Sequence, residues 1–232
     1  MITKAQYYNV KYTQRNYFHY REWLYAPYIA SLVSYTKLKP GSRVLDVGCG
    51  QGLFSSLFHR CGMSVLGIDL SEVGVRMAEE KYARPGLTFS VGDIQSANGL
   101  QDAEKFDCIF VRSCSLYNSR EFGVSDDITT KLVRYLKTDG LFIFAYYTTF
   151  GRRASGEWHY HSLSDVAKHF ARFLGKRVFF CTRLDTLIIR KFALTALVTG
   201  VNWCLSKLCG IGGDAICIFR MPSSDESPRV GQ

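Results

Sequence analysis

The stretch Val44-Leu45-Asp46-Val47-Gly48-Cys49-Gly50-Gln51-Gly52 constrains the fold of this chain more than any other. An apolar run of strand character ends in three alternating glycines, after which Leu53, Leu57 and Cys61 fall on one helical face. Strand, glycine turn and helix in that order open a parallel α/β sheet. Glycines in such a turn let the backbone approach a ligand closely, where a Cβ would stand in the way. The spacing excludes two common phosphate loops. A dinucleotide fingerprint, G-x-G-x-x-G, needs its third glycine where Leu53 stands, and no Gly-Lys-Ser/Thr of a P-loop follows. Asp46, two residues ahead of the first glycine, would oppose a pyrophosphate and could orient a cationic amino-acid group.

The following residues continue the alternation. Ser64 to Asp69, Leu87 to Val91, Phe106 to Val111 and Leu141 to Tyr147 read as further strands, after Arg43 to Val47 as the first. Ser71 is placed to N-cap a helix reaching about Tyr82. Ser125 can cap another that turns Ile128, Leu132, Tyr135 and Leu136 inward, and Ser164 to Phe173 has helical periodicity. Gly62, Pro85-Gly86 and Thr138-Asp139-Gly140 punctuate the elements. Arg177 to Thr182 and Ala215 to Arg220 read as two final strands, and residues 222–232 as a disordered tail.

Five segments in this order resemble the class I S-adenosylmethionine-dependent methyltransferases. The first is Asp46-Val47-Gly48-Cys49-Gly50-Gln51-Gly52 and the second is Asp69, closing Val65-Leu66-Gly67-Ile68-Asp69. The third is Asp93 in Val91-Gly92-Asp93-Ile94, the fourth is Phe106 through Ser113, and the fifth is the Leu136-to-Gly140 turn. The resemblance is specific over 40–147 and only topological over 148–221. It implies a Rossmann-like, doubly wound α/β fold with a mostly parallel seven-stranded sheet and an antiparallel last strand. It further implies S-adenosyl-L-methionine as cofactor and S-adenosyl-L-homocysteine as product. Gly48, Cys49 and Gly50 would border the methionine part, with Asp46 nearby. Asp69 would accept from both ribose hydroxyls, which suits a carboxylate facing a vicinal diol. Asp93 would meet the adenine amino group, Leu70 and Ile94 would pack on the ring, and Arg112 or Ser113 would lie near the transferred methyl. Each acid also has a structural alternative, as a partner for turn amides or as a helix cap.

The charge bears on the acceptor. The chain of 232 residues carries a formal net charge of +9. Residues 1–39 hold net +5, 40–147 net −2, 148–221 net +7 and 222–232 net −1. These boundaries separate an aromatic and basic N-terminal segment, a cofactor-binding core, an acceptor-side cap with the last strands, and the tail. The two basic segments are those expected to enclose the acceptor, so they point to a small anionic metabolite, such as a sugar, nucleotide-linked or other acidic compound. RNA held through its phosphates by the same flanks is the alternative. A non-catalytic cofactor-binding partner, or a membrane-surface adaptor, is the alternative of another class.

Nine aromatics in the first 28 residues, Tyr12 among them, suit either a water-excluding lid or ordinary helix packing with Pro27 in the first turn. No general base declares itself. His159 and His161 are the candidates after the fifth strand, with Tyr117 and Tyr146 behind them. No Cys/His pattern of metal spacing occurs, and no metal is expected. Eight cysteines without an apolar leader suggest free thiols and a cytoplasmic location. Residues 192–206 are uncharged, yet at 15 residues too short for a membrane span of about 20. They read as a buried helix, with peripheral membrane contact as the other option.

Overall fold

The computed structural model describes residues 3–13, 21–95, 100, 105–118, 125–148, 159, 161, 163–175, 177–182, 201, 204 and 213–223. Most of the apolar stretch 192–206 and of the tail lies outside these. In sheet order the strands are β3-β2-β1-β4-β5-β7-β6, where β1 is Arg43–Val47, β2 Ser64–Asp69, β3 Leu87–Val91, β4 Phe106–Arg112, β5 Leu136–Thr148, β6 Arg177–Thr182 and β7 Gly213–Arg220. The seven strands and the antiparallel last strand match the implied fold. The chain divides into two compact units, Met1–Phe106 and Asp107–Gln232, so the division falls inside the segment 40–147.

In the first unit, β1 and β2 run parallel with Arg43 opposite Ser64 and Val47 opposite Ile68. Strand β3 joins β2 in parallel, with Asp69 opposite Val91. Helices α1 (Lys4–Tyr12), α2 (Glu22–Thr36), α3 (Leu53–Arg60) and α4 (Glu72–Tyr82) complete the unit. Buried Tyr25, Tyr28, Ile29 and Leu32 give α2 one apolar face at i, i+3, i+4 and i+7. Tyr25 meets Phe54 edge-on at 5.2 Å. This cover changes the expectation for α3. Its buried residues run from Phe54 to Phe58, while Leu53 and Cys61 are only half-buried. Pro27 also falls later than expected. The helix begins at Glu22, so proline sits inside it rather than in the first turn. Ser71 caps α4 as read from the sequence, its Oγ accepting from Gly74 N at 3.1 Å.

In the second unit, β7 pairs antiparallel with β5, Leu141 opposite Arg220, and antiparallel with β6. Strand β5 starts at Leu136, five residues before the expected Leu141, with Asp139 in the left-handed region at φ 61. Its ladder with β7 nevertheless begins at Leu141. Helix α5 (Asp126–Arg134) buries Ile128 and Leu132 as expected. Ser125 precedes it without a side-chain capping bond, and its hydroxyl donates to Leu116 O at 3.3 Å. Helix α6 (Leu163–Ala171) buries Val166, His169 and Phe170. Among the described residues, Cys49, Cys61, Cys108, Cys114, Cys204 and Cys217 form no disulfide. Among the described residues no helix is long and apolar enough to cross a membrane, and no group of acids, histidines and cysteines could hold a metal.

Candidate active site

Parallel pairing carries the chemistry-bearing residues of the first unit to one edge. Asp46 is the fourth residue of β1, Asp69 ends β2, and Asp93 follows β3 by two residues. The glycine turn leaves β1 in a conformation few other residues adopt, with φ 75 at Gly48, 52 at Gly50 and 80 at Gly52. Gly48 N and Cys49 N both donate to Ile68 O, at 2.8 and 3.1 Å, so the turn continues the β1–β2 ladder. Gly52 then provides the left-handed entry to α3.

Asp69 is the hub of this edge. Its Oδ2 accepts from Gly50 N and its Oδ1 from Ser71 N, each at 2.8 Å. The structural role weighed from the sequence is therefore present, and it does not exhaust the carboxylate. These amides use only part of the carboxylate's acceptor capacity, and what remains suits a vicinal diol. Burial raises the Asp69 pKa, and the amides of Ser71, Gly50 and Leu70 oppose that rise.

Among the described residues, the bonds to Asp46 come from Ser55 of α3 and not from the glycine turn. Asp46 Oδ2 accepts from Ser55 Oγ at 2.5 Å, with Ser55 projecting from α3. The carboxyl is 2% exposed. Burial pushes its pKa up to about 7, Ser55 pulls the other way, and the Asp69 charge adds to the rise. Gly67 makes this contact possible. A Cβ there would stand 2.7 Å from Phe89 Cδ1, 2.9 Å from Ser55 Oγ and 3.0 Å from Cys49 Sγ. Cys49 is buried, with Sγ 3.8 Å from Gly50 O. Asp93 Oδ1 accepts from Gln95 N at 2.9 Å, Ile94 is buried, and Leu70 is half-buried.

The sequence assigned no role to two residues of this edge, Asn9 and Ser55, and placed a third, Tyr12, only within the aromatic N-terminal run. Asn9 Oδ1 accepts from Ser71 Oγ at 2.6 Å and from Val73 N at 3.4 Å. Tyr12 covers Gly50, where a Cβ would lie 2.8 Å from the tyrosine hydroxyl. The only sequence signal for Tyr12 was its place in the aromatic N-terminal run. Asn9 and Ser55 had none, because their partners lie on other elements, 62 and 9 positions away.

The remaining candidates belong to the second unit. Arg112 ends β4 and is buried, and Ser113 follows at φ 45 with its N donating to Ala145 O at 2.8 Å. A serine held at positive φ on a strand exit is the kind of strain that functional loops retain. Tyr117 is buried and shares a hydrogen bond with Thr129 Oγ1 at 3.1 Å, and burial raises its pKa above the ordinary phenol range. That position opposes use as a base near neutral pH. His161 is buried and donates from Nε2 to Tyr117 O at 3.1 Å, with its pKa lowered first by burial. His159 N donates to Asn118 Oδ1 at 2.7 Å. Tyr146 is buried and stacks on Phe144 at 5.0 Å.

The chain is similar to known methyltransferases. A family model described as a methyltransferase domain matches residues 38–176. The chain is 35% identical over 108 residues to the ribosomal protein L11 methyltransferase of Acetivibrio thermocellus, covering 46% of this chain and 32% of that one. It is 33% identical over 113 residues to squalene methyltransferase 1 of Botryococcus braunii, covering 48% and 29%. A methyltransferase of Geobacillus sp. (strain WCH70) is 31% identical over 108 residues, covering 47% and 43%. The chain thus spans less than half the length of these curated relatives. Among solved structures, phosphoethanolamine N-methyltransferase 2 of Haemonchus contortus superposes with a TM-score of 0.68 at 16% identity, covering 96% of this chain and 61% of that one. A Haloferax volcanii methyltransferase solved with the Trm112 activator superposes at 0.67 and 16% identity, covering 93% and 97%. With a matched domain over more than half its length, the chain belongs to the methyltransferase domain family.

Proposed function

We propose that this protein transfers a methyl group from S-adenosyl-L-methionine to a small anionic metabolite. The observation that carries the reading is the Asp69 hub, a buried carboxylate fixed by the Gly50 and Ser71 amides with acceptor capacity to spare. The residues fit the cofactor. Gly48 and Gly50 present backbone without side chains at the end of β1, Asp69 suits a ribose diol, and Asp46 suits an ammonium. Asp93, Leu70 and Ile94 would border the adenine.

When bound, the sulfonium supplies an already activated methyl group, so the protein's task is alignment rather than covalent chemistry. Asp69 would hold the ribose hydroxyls through its carboxylate. The amides of Gly50 and Ser71 keep that carboxylate from rotating. Asp46 offers a charge in a site that burial keeps dry. Ser113 and the neighbouring Arg112 are the proposed residues on the methyl side. His159 and His161 stand as the proposed bases for an O–H acceptor.

The anionic acceptor rests on the charge distribution, net +5 over 1–39 and +7 over 148–221. Calorimetry with S-adenosylhomocysteine and with NAD tests the cofactor, and binding of NAD alone would overturn it. Turnover on charged and uncharged members of one acceptor series tests the substrate class. Preference for the anionic members, lost in Arg152→Gln/Arg153→Gln, is expected. Equal rates on neutral members would sink the anionic acceptor, and methylation of RNA instead would replace it.

A further inference from the structure

The first helix closes a ring of contacts on the Asp69 hub. Asn9 and Tyr12 are three residues apart and share a face of α1. Asn9 accepts from Ser71 Oγ, Ser71 N donates to Asp69 Oδ1, Gly50 N donates to Asp69 Oδ2, and Tyr12 lies over Gly50. Gln51 Nε2 donates to Tyr12 O at 3.3 Å, a second tie between α1 and the glycine turn. The Tyr12 ring also fills the groove left by Gly74, where a Cβ would meet its Cδ2 at 3.0 Å. The links join α1 to Ser71 and Gly50, whose amides fix Asp69, to Gln51 of the turn, and to the first turn of α4 at Val73 and Gly74.

We infer that α1 is part of the cofactor site, with Asn9 and Tyr12 as positioning residues for Asp69 and Gly50, so that cofactor binding and α1 docking favour each other. The inference rests on the methyltransferase reading. Helix α1 has nine residues, a Thr3/Gln6 capping box and one buried side chain, Tyr12. A helix this short is marginal alone in water, so its order comes from docking. Segments of this kind open with a small free energy and respond to whatever stabilises their docking site. A ligand that holds Asp69 and Gly50 in place stabilises the surface to which α1 docks, and reciprocity requires that docked α1 tighten the ligand.

The test uses the full chain with S-adenosylhomocysteine as probe, in Asn9→Ala, Tyr12→Ala and Tyr12→Phe. Loss of a part-buried hydrogen bond in Asn9→Ala should weaken binding about fivefold. Tyr12→Ala should weaken it by about tenfold or more, and Tyr12→Phe, which keeps the ring, should stay closer to the parent. Amide exchange at Gly50 and Ser71 should quicken in Asn9→Ala and Tyr12→Ala below the melting transition. In the parent, the probe should slow exchange along α1. Folded Asn9→Ala and Tyr12→Ala that bind within twofold of the parent would overturn the inference, even if their melting temperatures drop. If the parent itself fails to bind the probe, the methyltransferase reading fails. The coupling of α1 to the hub is then judged by exchange at Gly50 and Ser71 alone, and unchanged rates would overturn that as well.

Discussion

The backbone amide of Gly50 donates to Oδ2 of Asp69 at 2.8 Å, which fastens the turn after the first strand to the acid that ends the second. The residues are 19 apart in sequence, and parallel pairing of β1 with β2 brings them together. The bond makes the glycine turn and the acid one unit rather than two independent ligands, because neither can move without the other.

Asp69→Asn removes that unity. An amide side chain has one acceptor oxygen, so either Gly50 N or Ser71 N loses its partner and faces an NH2 donor. Affinity for S-adenosylhomocysteine should fall tenfold or more, and stability should drop by about 1–3 kcal/mol. Calorimetry and urea unfolding read the two effects separately.

Asp46 gives a pH dependence of defined sign. Its folded pKa, about 7, lies above the ordinary 3.8. The folded state therefore binds this proton more tightly than the unfolded chain, and ionisation costs stability. Relative to Asp46→Asn, the parent should lose stability as pH rises from about 4 to about 7 and change little above that. The full penalty is on the order of a few kcal/mol. Urea midpoints for both proteins across this range check it. A bound ammonium would lower the Asp46 pKa, so ligand binding near pH 6.5 should release a proton in the parent and not in the variant.

His169 slopes the other way. Its Nε2 bonds Thr129 Oγ1 at 2.8 Å and its Nδ1 accepts from Arg172 Nη2 at 3.0 Å. Burial first, and then the Arg172 charge, lower its pKa from 6.5 to about 4. The unfolded chain binds this proton more readily, so stability falls as pH drops from about 6.5 to about 4. His169→Gln should remove that part of the acid slope, at a cost of about 1–2 kcal/mol at neutral pH. The two slopes oppose each other over much of one window, so single variants resolve what the parent's profile blends.

Gly52→Ala and Gly41→Ala separate strain from crowding. Both glycines have strongly positive φ, 80 and 83. A Cβ on Gly52 would stand 2.7 Å from Ala78 Cβ and 2.9 Å from Phe89 Cε1, whereas one on Gly41 meets nothing within 4 Å. Gly41→Ala should cost about 1 kcal/mol from backbone conformation alone. Gly52→Ala should cost about 3 kcal/mol or more, since core atoms must also shift. Denaturant midpoints give the difference directly.

Much of the fold was legible because its signals are local. The apolar runs that became β1, β2 and β3 matched their observed bounds, and Ser71 capped α4 as its position suggested. Local signals misled elsewhere. Ser125 sits at an N-cap position but makes no side-chain capping bond, and its hydroxyl donates to Leu116 O. Cover from α2 buries both sides of α3 in its first turns.

The sequence by itself determined the order of strands, the glycine turn and the three acids behind three strands, because periodicity and turn chemistry act over a few residues. It also located the positive charge in the segments flanking the cofactor core. Only the tertiary structure decided what each acid touches. Asp46 meets Ser55 nine residues on, Asp69 gathers Gly50 and Ser71, and Asn9 reaches Ser71 across 62 positions. The physical reason is that a carboxylate's pKa and hydrogen-bond partners depend on burial and on groups brought in by strand register and helix docking. Neither leaves a mark on local residue order.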